Sequence, residues 1–120
     1  MKKIKVVIAG ALGKMGQETM QAVLREEDLE LAALVDVRKL DELYNGTIVS
    51  GKEVFTVDTD LNQAIQRTRP DVLIDFTNPQ SVFSNAKIAL QNGISCVLGT
   101  TGLNDIEIDQ LEKLAAVKEI

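Results

Sequence analysis

The sequence predicts an α/β domain: a doubly wound parallel sheet of about five strands in the order 3-2-1-4-5, with helices on both faces. Three observations carry that expectation. Short contiguous apolar runs, such as residues 6–9 (VVIA) and 72–74 (VLI), suit strands covered on both faces. Between these runs stand segments whose apolar residues recur at helical spacing. The apolar share is 45% with only 3% aromatic, so Val, Ile, Leu and Ala must supply the core, a composition that buried parallel strands favour. A length of 120 residues is that of one domain.

The elements follow in order. Residues 4–9 are apolar with one charge at Lys5 and stop at glycine, which predicts the first strand. From Lys14 to about Glu26 the period changes, and Met15, Met20, Val23 and Leu24 share one face of a predicted helix. Residues 29–37 (LELAALVDV) form the second strand, carrying Asp36 near its end. Residues 38–52 contain Asn45-Gly46 and Ser50-Gly51 among mixed charges and read as a long surface connection with turns.

Residues 54–57 predict a short third strand, and Asp58 or Asp60 caps a helix that runs through Arg67 and is closed by Pro70. Residues 71–76 (DVLIDF) are the fourth strand. Pro79 then occupies a first helical position, and Val82, Ala86, Ala89 and Leu90 mark the buried face of a helix ended by Asn92-Gly93. Residues 95–98 make the fifth strand, and Ile108, Leu111 and Ala115 mark a last helix starting near Asn104 or Asp105. Right-handed crossovers then give the 3-2-1-4-5 order, with ligands expected at the carboxyl edge beside strands 1 and 4.

Composition excludes several functions. A net charge of −5 argues against a phosphate-neutralising surface for nucleic acid. No run approaches the roughly 20 apolar residues of a membrane span. The single cysteine, Cys96, has no internal partner and no metal-type spacing; packing in its strand is the expected role, in a reducing cytoplasm. With no histidine, zinc sites and imidazole acid/base chemistry are absent from these residues. The opening MKKIKVVIAGALG has the outline of a secretory leader, but the glycines and helical pattern that follow make better sense as folded structure.

Gly10, Gly13 and Gly16 stand three apart, immediately past the first strand and at the opening of a helix. Gly10 lets the chain turn sharply, Gly13 lets a phosphate approach the backbone without a Cβ in the way, and Gly16 lets helix and strand pack closely. The pattern is GxxGxxG, with Leu12 where the usual dinucleotide fingerprint carries its second glycine. No glycine-lysine-Ser/Thr ending follows, so a Walker A loop is excluded. Asp36, 20 residues after Gly16, is placed to accept hydrogen bonds from adenosine ribose hydroxyls. Arg38 and Lys39 follow at once and could pair with a 2′-phosphate, so one edge carries a feature for NAD and another for NADP. Phe76 and Thr77 project from the end of strand 4 into the same crevice, and residues 99–102 (GTTG) border it from the end of strand 5.

With these pieces in place, the chain resembles the amino-terminal domain of the 4-hydroxy-tetrahydrodipicolinate (dihydrodipicolinate) reductase family of lysine biosynthesis. The resemblance rests on IKVVIAGALGKMGQ, on DVLIDFTNPQSV and on CVLGTTGL, in that order, and covers nearly the whole chain. It implies a Rossmann-type domain over residues 1–120 that takes NADH or NADPH. The backbone of residues 10–16 would hold the pyrophosphate, with Lys14 and Met15 in the contact loop, and Asp36 the ribose. Arg38 is similar to a basic neighbour used for a 2′-phosphate, although Val37 intervenes. Phe76 and Thr77 would line the nicotinamide side, and Gly99, Thr100 and Thr101 would hold carboxamide and ribose.

The reaction so implied is hydride transfer to a cyclic dicarboxylate, giving tetrahydrodipicolinate. The family's paired histidines, lysine and Pro-Ser-Gly-Thr segment belong to a second domain that also supports homo-oligomers, and none of them stands in these residues. These 120 residues are therefore expected to bind cofactor without turnover, and to leave a sheet edge or helix face uncovered. Two other readings compete. An extended short-chain dehydrogenase requires Tyr-x-x-x-Lys, whereas the only tyrosine, Tyr44, is followed four residues on by Ile48. A non-enzymatic nucleotide- or CoA-binding module shares fold and glycines and would differ in which nucleotide it takes.

Overall fold

A computed structural model describes residues 2–37, 47–50 and 53–120. In chain order the elements are β1 (Ile4–Ala9), α1 (Lys14–Arg25), β2 (Leu29–Val35), β3 (Thr47–Ser50), β4 (Glu53–Asp58), α2 (Leu61–Thr68), β5 (Val72–Asp75), α3 (Val82–Gln91), β6 (Ser95–Leu98) and α4 (Asp105–Lys118). They form one sheet in the order β3-β4-β2-β1-β5-β6. β1 pairs in parallel with β2 and β5, β2 with β4, and β5 with β6. The five anticipated strands thus take the anticipated order.

A sixth strand is added at the edge. β3 runs antiparallel to β4, with Thr47 opposite Thr56 and Ser50 opposite Glu53. This corrects the expectation of a connection throughout residues 38–52. A strand of four residues, bracketed by turn dipeptides and paired along one side among the described residues, leaves little periodicity to read. Residues 38–46 and 51–52 of that segment, Arg38 among them, lie outside the described residues.

Alternation along β1 builds the two faces of the sheet. Val7 and Ala9 join Leu61, Ala64 and Ile65 of α2 and Ala89 of α3 in one core, whereas Val6 and Ile8 pack on Met20 and Val23 of α1 in the other. β5 divides likewise, with Leu73 in the first core and Ile74 against the second, which is why its apolar residues are contiguous.

Two helix readings need correction. The buried face of α1 is Gly16, Met20 and Val23, while Met15 and Leu24 are exposed, because residue 16 meets the turn after β1 and sets the face. Pro79 precedes α3 instead of opening it. Asn78 first builds a turn, its side chain accepting from Ser81 N–H at 2.9 Å and its carbonyl from Val82 N–H at 3.1 Å, so the helix begins at Val82. Asp60 is the cap of α2, accepting from Gln63 N–H at 3.0 Å. No described helix is long and apolar enough to cross a membrane.

Candidate functional site

The turn after β1 is closed by backbone on two sides. Gly10 has φ +77°, and a Cβ there would lie 2.4 Å from the Phe76 carbonyl oxygen. A Cβ at Gly16 would lie 2.2 Å from the Gly10 carbonyl oxygen. Side chains at either position would force apart the turn, α1 and the loop after β5.

Gly13 is the N-cap of α1 and offers no capping side chain, and no acidic residue stands in the first turn. The N–H groups of Lys14, Met15 and Gly16 therefore have no carbonyl within the helix to bond, and they sit at its positive end. α2 and α4 differ: Asp60 caps the first, and Asn104 with Glu107 forms a capping box on the second. α3 also lacks a side-chain cap bond, and its start at Ser81 opens on the same crevice as α1.

That crevice has two lobes. One, about 580 Å³, is bordered by Gly10, Asp36, Thr59, Asn62 and Ser81. The other, about 460 Å³, is bordered by Lys14, Met15, Gly16, Gly99, Thr100 and Thr101. Gly13, Phe76, Thr77 and Asn78 line both, so the lobes meet at the uncapped end of α1. Of the residues picked out from the sequence, Gly10, Gly13, Lys14, Met15, Gly16, Asp36, Phe76, Thr77, Gly99, Thr100 and Thr101 border one lobe or the other; Gly102 is not among the lining residues, and Arg38 lies outside the described residues.

Asp36 lies just past β2 and is only 4% exposed. Its Oδ2 accepts from Leu12 N–H at 2.9 Å, and its own N–H donates to the Asp58 carbonyl at 2.9 Å. The carboxylate thus holds the glycine turn in place while bordering the larger lobe. In the other lobe the Phe76 ring occupies the space over Gly99, where a Cβ would meet its Cε1 at 2.1 Å.

Asp75 escaped the sequence reading. It is fully buried at the end of β5, and its Oδ1 accepts from Thr77 N–H at 2.8 Å, Thr77 Oγ1 at 2.7 Å and Thr100 Oγ1 at 2.9 Å. Asn85 of α3 donates to its Oδ2 at 3.0 Å. One carboxylate therefore organises two of the loops that border the smaller lobe. The available signal was an acid inside an otherwise apolar strand, followed two residues on by a hydroxyl. Among the described residues, no cluster of His, Cys, Asp and Glu could hold a metal ion.

Comparison with known proteins agrees with this geometry. The family model described as dihydrodipicolinate reductase, N-terminus, matches residues 4–120. A 4-hydroxy-tetrahydrodipicolinate reductase of Syntrophomonas wolfei is 49% identical over 99% of this chain and 45% of the relative. One from Desulfitobacterium hafniense is 40% identical over 95% of this chain and 43% of the relative. The solved structure of dipicolinate-bound dihydrodipicolinate reductase from Paenisporosarcina sp. TG-14 superposes with a TM-score of 0.85 at 36% identity, covering 98% of this chain and 45% of that one. The chain thus spans less than half the length of these relatives. With the motifs, the sheet order and the crevice in agreement, the chain belongs to the dihydrodipicolinate reductase family and corresponds to its amino-terminal part.

Proposed function

We propose that residues 1–120 are the cofactor-binding domain of a 4-hydroxy-tetrahydrodipicolinate reductase. In this reading the domain takes NADH or NADPH in the cytoplasm and presents it to a cyclic dicarboxylate, for lysine and diaminopimelate biosynthesis. The observation that carries it is the two-lobed crevice whose halves join at the uncapped amino end of α1. A dinucleotide has the matching form, two nucleosides joined by a diphosphate that requires N–H donors.

The roles follow the lobes. The backbone of Gly10, Gly13 and Gly16, with Lys14 and Met15, holds the pyrophosphate. Asp36, with Arg38 two residues on in sequence, takes the adenosine ribose. Phe76, Thr77, Gly99, Thr100 and Thr101 border the nicotinamide half. When bound, the cofactor supplies the hydride; these side chains bind and orient it.

The smaller lobe offers hydroxyls, an amide and a phenyl ring, with Lys14 its sole titratable side chain among the described residues. Cofactor binding without turnover is therefore the expected behaviour of residues 1–120 alone. Calorimetric titration should show binding of both NADH and NADPH and none of CoA. Adding the cyclic dicarboxylate to the NADH complex should leave the nicotinamide absorbance flat. Preference for CoA, or no dinucleotide binding, would overturn the assignment; steady oxidation would overturn the division of labour.

A further inference from the structure

We propose that Asp75 is a positioning residue that turns the hydroxyls of Thr77 and Thr100 into hydrogen-bond acceptors toward the smaller lobe, so that the lobe selects a ligand group carrying N–H donors. The proposal rests on the dinucleotide reading above and extends it to the polarity of the nicotinamide subsite.

The argument is one of proton accounting. Asp75 is fully buried. Each of its oxygens faces an N–H donor: Thr77 N–H lies 2.8 Å from Oδ1, and Asn85 Nδ2 lies 3.0 Å from Oδ2. The carboxylate thus acts as an acceptor on both sides. The Thr77 hydroxyl at 2.7 Å then donates to Oδ1, and the Thr100 hydroxyl donates to Oδ1 at 2.9 Å or to the Asp75 backbone carbonyl at 3.3 Å.

A threonine hydroxyl has one proton and two lone pairs. With its proton committed to Asp75, each hydroxyl can only accept from whatever enters the lobe. Thr77 and Thr100 both border that lobe, and they come from loops after different strands, so one buried carboxylate sets the polarity of two of its walls. A carboxamide answers with an NH₂ group. An acetyl group of nearly the same shape has none.

The test compares three ligands by calorimetry on the 120-residue chain: NADH, its reduced 3-acetylpyridine analogue, and ADP-ribose. The unaltered chain should bind NADH about five- to tenfold more tightly than the acetylpyridine analogue, the effect of one hydrogen bond lost in a desolvated site. Asp75→Ala removes the carboxylate acceptor and frees the hydroxyl protons for the ligand. It should erase the discrimination while leaving ADP-ribose affinity within about twofold.

Because Asp75→Ala could fail to fold, Thr100→Val and Thr77→Val serve as second variants. Each should reduce the preference for NADH over the analogue, and Thr100→Ser, which keeps the hydroxyl, should restore it. Equal binding of NADH and the acetylpyridine analogue by the unaltered chain, with ADP-ribose bound normally, overturns this proposal alone. So does unchanged discrimination in the valine variants. Failure of both NADH and ADP-ribose to bind overturns the dinucleotide reading and the proposal with it.

Discussion

Leu12 donates its backbone N–H to the Asp36 carboxylate at 2.9 Å, tying the turn after β1 to the end of β2. One side chain thereby supports the loop expected to hold a diphosphate and borders the lobe expected to hold the adjoining ribose. Asp36→Ala leaves the half-buried Leu12 N–H without this acceptor and should cost about 1–3 kcal/mol in urea unfolding, together with dinucleotide affinity. Asp36→Asn keeps a carbonyl oxygen for Leu12 and should be nearly as stable as the unaltered chain. It loses the anionic acceptor, so NADH affinity should fall several-fold, and NADPH affinity less because its 2′-phosphate is no longer repelled. Unaltered stability and affinity in Asp36→Ala would refute the dual role.

Gly99 and Phe76 are matched in shape across the smaller lobe. Gly99 does not need a positive φ; its constraint is the phenyl ring, which a Cβ would meet at 2.1 Å. Gly99→Ala must push the ring aside and should lower stability by roughly 1–3 kcal/mol, as overpacking does. The displaced ring should weaken NADH binding more than ADP-ribose binding. The double variant Gly99→Ala, Phe76→Leu should recover part of the lost stability. Strict additivity of the two substitutions in unfolding experiments would show that ring and glycine are uncoupled.

Most of this site could be read from residues whose backbone needs are visible in the sequence. Gly10, Gly13 and Gly16 break a strand and open a helix, and GTTG does the same to β6, so their location at the carboxyl edge follows from topology. What escaped reading is what depends on partners distant in the chain. Asp75 looks like a charge near a strand end until Thr100, 25 residues away, and Asn85, 10 residues away, are brought to it. β3 was hidden for a related reason, since among the described residues its one ladder is with β4 and turn dipeptides surround it. The face of α1 was misjudged at Met15 because hydrophobicity does not tell a core position from one beside a crevice.

Asp58 and Arg67 join the end of β4 to the last turn of α2. The guanidinium donates from Nη1 and Nη2 to the two carboxylate oxygens at 2.8 and 2.7 Å. That hydrogen bond, and then the opposite charge of Asp58, raise the Arg67 pKa further above its ordinary value. The Arg67 side chain is 54% exposed, so water and salt screen the pair. Arg67→Gln should therefore cost no more than about 1 kcal/mol in urea unfolding, with the difference shrinking at high salt. Arg67→Lys should recover little, because an ammonium cannot reproduce the two-pronged contact. A loss well above that size, insensitive to salt, would mean that the pair organises β4 and α2 more strongly than its exposure implies.

Cys96 lies half-buried in β6, with its Sγ 3.7 Å from the Ala86 carbonyl oxygen of α3. Burial, and secondarily the negative charge of Asp75, push the thiol up from 9.0 to about 11. The folded chain should react slowly with thiol reagents near neutral pH, and much faster once unfolded in urea. The same shift gives stability a pH dependence of definite sign. Below 9.0 the thiol is protonated in both states and the contribution is fully present; between 9.0 and about 11 the unfolded chain releases its proton first and stability falls. The informative quantity is the difference between the unaltered chain and Cys96→Ala, which isolates the thiol. Urea midpoints at several pH values should show the unaltered chain losing stability more steeply above 9.0 than the alanine variant. Parallel curves would show that the thiol ionises as freely in the fold as outside it.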